Sequence, residues 1–148
     1  MAVTYLVSSL ATFGGTVPGI TKSFGLSDLP QNINREDLPA ALIVPEVGTE
    51  QGLKLLSMMG NSPSVVIEVT QLVLVAESGD TPLREAMPTM LTILDAYNAQ
   101  AKAQKFLDTQ AAPPNQVVMQ YSIMLGISEW EGISYHSLST KHQYTIYG

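Results

Sequence analysis

Ser64–Glu77, SVVIEVTQLVLVAE, is the stretch whose reading decides the fold. It holds seven β-branched residues and neither Gly nor Pro. Val65, Ile67, Val69, Val73 and Val75 fall on one face. The other face begins mixed at Val66, Glu68 and Thr70, then turns apolar at Leu72, Leu74 and Ala76. Alternation that gives way to a solid apolar run marks a strand whose second half is covered on both sides. The stretch is roughly twice the usual strand length of about 5–6 residues. A long strand buried on both faces is central in its sheet, so the other elements are expected to pack on it.

Upstream, Gly60-Asn61-Ser62-Pro63 is a turn and Gly52–Met59 (GLKLLSMM) a strand, making an antiparallel hairpin with the central one. Leu38–Pro45 is a short apolar strand bracketed by prolines, which cannot donate to a ladder. Before it, Thr16–Pro39 is a connector rich in turn signals, with a short strand at Ile20–Phe24. Connectors beyond about 12–15 residues are usually functional in compact domains, the alternative being a solvated link. Ser23–Glu36 is expected to be mobile in an isolated subunit and ordered by a neighbour. Val3, Leu6, Val7 and Leu10 have helical spacing, and Gly14–Gly15 is expected to end that helix, the competing reading being a strand because Val3-Thr4-Tyr5 favours β structure.

Downstream, Asp80 or Thr81 can cap a helix, with Pro82 in its first turn and Glu85 at the positive end of its dipole. Leu83, Met87, Met90, Leu91, Leu94 and Tyr97 form its apolar stripe, and Pro88 predicts a kink or a broken first turn. Ala99–Lys105 is weakly amphipathic, as in a frayed or partner-facing end, and Ala111–Asn115 stops the helix. Gln116–Trp130 alternates as a second long strand. Glu131-Gly132 loosens the chain before Ile133–Leu138, and Lys141–Tyr147 is a last strand. The order predicts an α+β fold: an antiparallel or mixed five-stranded sheet packed against two helices, one domain over residues 1–148.

Composition narrows the function. At 148 residues the chain can bury a core without staples. Charged residues make up only 14% against 45% hydrophobic, which points to a surface that meets protein. A net charge of −6, with no run of Lys or Arg, argues against nucleic-acid binding. With no cysteine there is no disulfide, thiol catalysis or thiolate metal site. MAVTYLVSSLATF has no basic residue ahead of its apolar part, so a signal peptide is not expected. No apolar run reaches the ~20 residues that span a bilayer, and a soluble protein without a membrane partner is expected.

No catalytic motif is present: no G-x-S-x-G, H-E-x-x-H, P-loop or G-x-G-x-x-G. His136 and His142 with Glu129 or Glu131 match no standard metal spacing, and two histidines in a tyrosine-rich C-terminus read as surface strand residues. Asp80 and Glu85 are accounted for by a helix start, and Asp95 by a solvated or hydrogen-bonded position at the stripe edge. Trp130 reads as a core or interface anchor. No catalytic residue, metal site or cofactor is expected.

Two stretches raise a family. The first is Ile20-Thr21-Lys22, then Leu29-Pro30-Gln31-Asn32-Ile33, then Asp37-Leu38-Pro39-Ala40-Ala41. The second is Ile127-Ser128-Glu129-Trp130-Glu131-Gly132-Ile133-Ser134-Tyr135-His136, followed by Tyr144–Tyr147. With the long strand and helix between them, the chain resembles the small tail-terminator and tail-completion proteins of long-tailed bacteriophages. The resemblance implies a structural virion subunit, assembled in the host cytoplasm, that forms a six-fold ring in the tail neck. Such a ring caps the tail tube, halts its growth and offers the surface for head joining. The implied partners are further copies of the chain, the tail-tube protein and a neck or head-completion protein. DNA would pass through the lumen without specific binding, and an acidic chain avoids phosphate-contact affinity. Phe24, Leu26, Leu29, Ile33, Trp130, Tyr135 and His136 are the candidate interface residues.

Two alternatives remain. One is another neck or tail subunit, a tail-tube or head-completion protein. The other is a small-molecule-binding α+β domain, with a pocket between sheet and helix lined by methionines and by Phe24 or Tyr121.

Overall fold

The computed structural model describes residues 3–25, 29–43, 53–58, 64–104 and 116–147. Among these residues, two α-helices, α1 (Val3–Thr16) and α2 (Leu83–Gln104), and one 3-10 turn at Arg35–Asp37 accompany six strands. The strands are β1 (Lys22–Phe24), β2 (Ala40–Ile43), β3 (Leu53–Met58), β4 (Ser64–Glu77), β5 (Gln116–Trp130) and β6 (Ile133–Tyr147). Five form a continuous path in the order β1-β2-β4-β6-β5, and β3 pairs with β4 beside β2. The fold is α+β with a mixed sheet, as expected, and its one parallel pair is β1 with β2.

β4 is the centre of the sheet. β6 lies along it from Ser64↔Tyr147 to Glu77↔Tyr135, and β2 and β3 divide its other edge. Its alternation sorts two cores. Val69, Val73 and Val75 face the helices with Leu10, Phe13, Met90, Ile93, Tyr97 and Leu138. Leu72 and Leu74 face the opposite side with Phe24, Ile33, Leu42 and Tyr135, where the connector folds back over the sheet. A bulge between Leu74 and Ala76 shifts the register at the end of that run.

Several boundaries differ from the sequence reading, each for a local reason. α1 runs through Gly14–Gly15 instead of stopping there. A Cβ on Gly14 would lie 2.6 Å from Gln71 Nε2 and 2.8 Å from Ser23 Oγ, so this glycine serves close helix–sheet contact. The short strand begins at Lys22, not Ile20. Ile133–Leu138 and Lys141–Tyr147 are one strand, because pairing to β4 and β5 carries through Ser139 and Thr140. The turn residues 60–63 and the stop at 111–115 lie outside the described residues.

α2 is rotated relative to the expected stripe. Its buried line is Ala86, Met90, Ile93, Tyr97 and Ala101, whereas Leu83 and Leu91 are exposed. Ala86 and Ala101 let the helix approach the sheet, and Leu83 and Leu91 turn outward. Ala101 is part of the core, so the helix end is packed at least that far. Pro88 is tolerated within a continuous helix, and the Thr92 hydroxyl bonds to its carbonyl at 2.9 Å. The first helical amides, of Glu85 and Ala86, return to the Pro82 carbonyl. Asp80 pairs instead with the Arg35 side chain, which also reaches Glu77 at 3.5 Å.

Candidate assembly surface

Five of the seven candidate interface residues are brought together, but within the subunit. Phe24, Ile33 and Tyr135 are buried on the connector side, with Leu29 and Trp130 half-buried against them. The Trp130 indole N–H donates to the Pro30 carbonyl at 3.1 Å and ties the connector to the hairpin end. Burial, then the Glu77 carboxylate across the strand pair, pushes the Tyr135 phenol up. Leu26 lies outside the described residues. His136 is on the helix side, buried, with Nε2 at 2.7 Å from the Thr81 carbonyl at the entry to α2. Phe24, Leu29, Ile33, Trp130 and Tyr135 pack the connector onto the sheet.

Both histidines are buried, not surface strand residues. His142 belongs to a polar cluster sealed between sheet and helices. The Tyr97 hydroxyl lies 2.7 Å from Gln71 Oε1, 3.1 Å from Thr140 Oγ1 and 2.6 Å from His142 Nε2. Gln71 Nε2 donates to the Leu10 carbonyl at 3.2 Å, which orients the amide and leaves Oε1 to accept from Tyr97. With its proton given to Gln71, the Tyr97 oxygen accepts from His142 Nε2–H, which sets the tautomer of the ring. Burial lowers the His142 pKa to about 4. The cluster joins α1, α2, β4 and β6 and has no opening for a substrate. Among the described residues no three His, Cys, Asp or Glu side chains group as metal ligands. Asp95 is exposed.

Met90, Ile93 and Tyr97 fill the space between α2 and the sheet, and Phe24 lies on the opposite face from Tyr121. Among the described residues, these side chains pack where the small-molecule pocket is envisaged. A surface hollow of about 290 Å³, lined by Leu38, Val75 and Ala76 with Arg35, Glu77, Asp80 and Thr81, is rimmed by the ion pairs. Such exposed pairs contribute little.

Among the described residues, the exposed large apolar side chains lie on β5, at the start of β6 and on α2. Among the described residues, no strand pairs with the outer edge of the fifteen-residue β5. Met124 is 72% exposed and Ile127 65%. Tyr97 of α2 meets His142, and Thr81 just before α2 meets His136, so the helix runs in the same direction as β6 and opposite to β5. The Tyr121 hydroxyl donates to Asn98 Oδ1. Counting back from Asn98 by helical steps gives Leu94, Leu91, Met87 and Leu83, a ridge along the β5 side. Leu83, Arg84, Met87, Pro88 and Leu91 line an open groove of about 580 Å³ on it.

Sequence reasoning missed this groove. Its signal is three large apolar residues spaced by four, Leu83, Met87 and Leu91, competing with Ala86, Met90 and Ile93 for the core. Among the described residues no helix is long and apolar enough to cross a membrane. Comparison with protein-family models finds no match, and comparison with curated proteins finds none.

Proposed function

We propose that this protein is the subunit of a closed ring that caps the tail tube of a long-tailed bacteriophage. The ring ends tube growth and carries the surface for head joining in the virion neck. The observation that carries the reading is the outer edge of the fifteen-residue β5, which no strand pairs among the described residues, together with the exposed Leu83 and Leu91 of α2. Open strand edges and exposed apolar side chains are covered in stable proteins, most simply by another subunit. A head-to-tail contact whose rotation closes makes a ring, and one with a residual rise makes a filament. The resemblance in the connector and hairpin stretches supplies the tail context and the six-fold number. The partners under this reading are the protein itself, the tail-tube protein and a neck or head-completion protein. Adding the purified protein to growing tail tubes tests it. Tubes stop and carry a ring at their ends if it is a terminator, and lengthen if it is a tube subunit.

A further inference from the structure

The turn joining β5 to β6 is two residues long, Glu131-Gly132, with φ of 50° and 83°. A two-residue hairpin turn with positive φ at both positions favours Asn, Asp or Gly. Gly132 meets that demand freely, whereas Glu131 is an unfavourable choice of side chain. Backbone held in a sparsely populated region at an exposed tip is a motive to look for function there. Glu129 and Glu131 are exposed beside this turn, and Ile133 is 37% exposed. The tip is therefore an acidic prong with an apolar side chain behind it.

The groove on α2 has the complementary chemistry. Leu83, Met87, Pro88 and Leu91 supply apolar walls, and Arg84 supplies one exposed guanidinium. Among the described residues no ion pair engages Arg84, Glu129 or Glu131 within the chain. With a net charge of −6, most surfaces of two copies repel each other. Glu131 meeting the Arg84 guanidinium beside apolar walls is a contact of opposite charge, although the exposed Glu85 adjoins Arg84.

We propose that the β5–β6 hairpin tip docks in the α2 groove of a second copy, Glu131 on Arg84 and Ile133 against Leu83, Met87 and Leu91. Each subunit then offers one prong and one groove, as a head-to-tail assembly requires. The contact rests on the ring reading for its purpose and on the opposite charges and exposed apolar side chains of the two surfaces for its placement. Desolvation strengthens the ion pair, and the surrounding apolar contacts exclude water.

The test uses the full chain with Arg84→Glu, Glu131→Lys and the double exchange, read by sedimentation with and without tail tubes. Each single change weakens association by about tenfold or more, the scale of one close interfacial charge pair, and the double exchange restores it. Glu131→Gly relaxes the turn, so it leaves the melting temperature equal or higher while still weakening association. Single variants that associate like the wild type overturn the docking and leave the ring reading standing. Loss in both singles without rescue in the double exchange also overturns it and gives the groove to another partner. A wild-type protein that stays monomeric and never binds a tube end overturns both readings.

Discussion

The Tyr97 hydroxyl and His142 Nε2 lie 2.6 Å apart in a core sealed from solvent on every side. Burial lowers the His142 pKa to about 4, from 6.5 for a free histidine. The folded chain therefore holds this ring neutral where the unfolded chain protonates it. The resulting stability is complete above about pH 6.5 and is lost as the pH falls toward 4, to the extent of about 3 kcal/mol. Urea denaturation at several pH values is expected to trace this slope in the wild type, and His142→Gln is expected to remove that component of it.

Tyr97→Phe is expected to be more damaging than its small volume change implies. It strips the hydroxyl that Gln71 Oε1 and His142 Nε2 share, leaving buried polar atoms without that partner. A cost of about 2–4 kcal/mol follows from two such losses. An unchanged denaturation midpoint would show that the cluster does not hold the helices to the sheet.

Gly14→Ala and Gly126→Ala make an opposed pair. Alanine raises helix propensity by about 1 kcal/mol, which alone would make the Gly14 variant more stable. The added methyl, however, meets Gln71 Nε2 at 2.6 Å and disturbs the buried amide. Gly14→Ala is therefore expected to lower the melting temperature. At Gly126 nothing lies within 4 Å of an added Cβ, so Gly126→Ala is expected to be neutral or stabilising. Calorimetry of the two variants decides whether close contact or propensity governs position 14.

Val73 is fully buried at the middle of β4, paired to Ala41 and Leu138. Val73→Asp places an unpaired charge there and is expected to cost about 4 kcal/mol or more. A soluble variant with an unchanged melting temperature would remove β4 from the centre of the fold.

The strands were legible because their pattern is carried by large side chains with period two. Val69, Leu72, Val73 and Leu74 announced a strand covered on both faces, and the structure places two cores there. The phase of α2 was not legible. Leu83 and Leu91 outweigh Ala86 and Ala101 in any count of apolar size, yet small residues are what close packing against a sheet selects. Gly14 looked like a helix stop for a similar reason, since a sequence does not distinguish a glycine that ends a helix from one that admits a neighbour. The candidate interface was chosen from residue type, and Phe24, Ile33 and Tyr135 turned inward once the connector folded onto the second face. Met124 and Ile127 gave no warning of exposure. Alternation is the same in a central and an edge strand, and only the pairing order makes β5 an edge.

The most direct test of the ring is the mass of the purified protein, measured across concentration and salt and followed by electron microscopy of the largest species. Low salt is expected to oppose closure through the net charge of −6, and higher salt to favour it. The account predicts one discrete closed ring, six subunits under the phage reading, that does not grow as protein is added. Open filaments that lengthen with concentration, or a monomer under every condition and at tube ends, would contradict it.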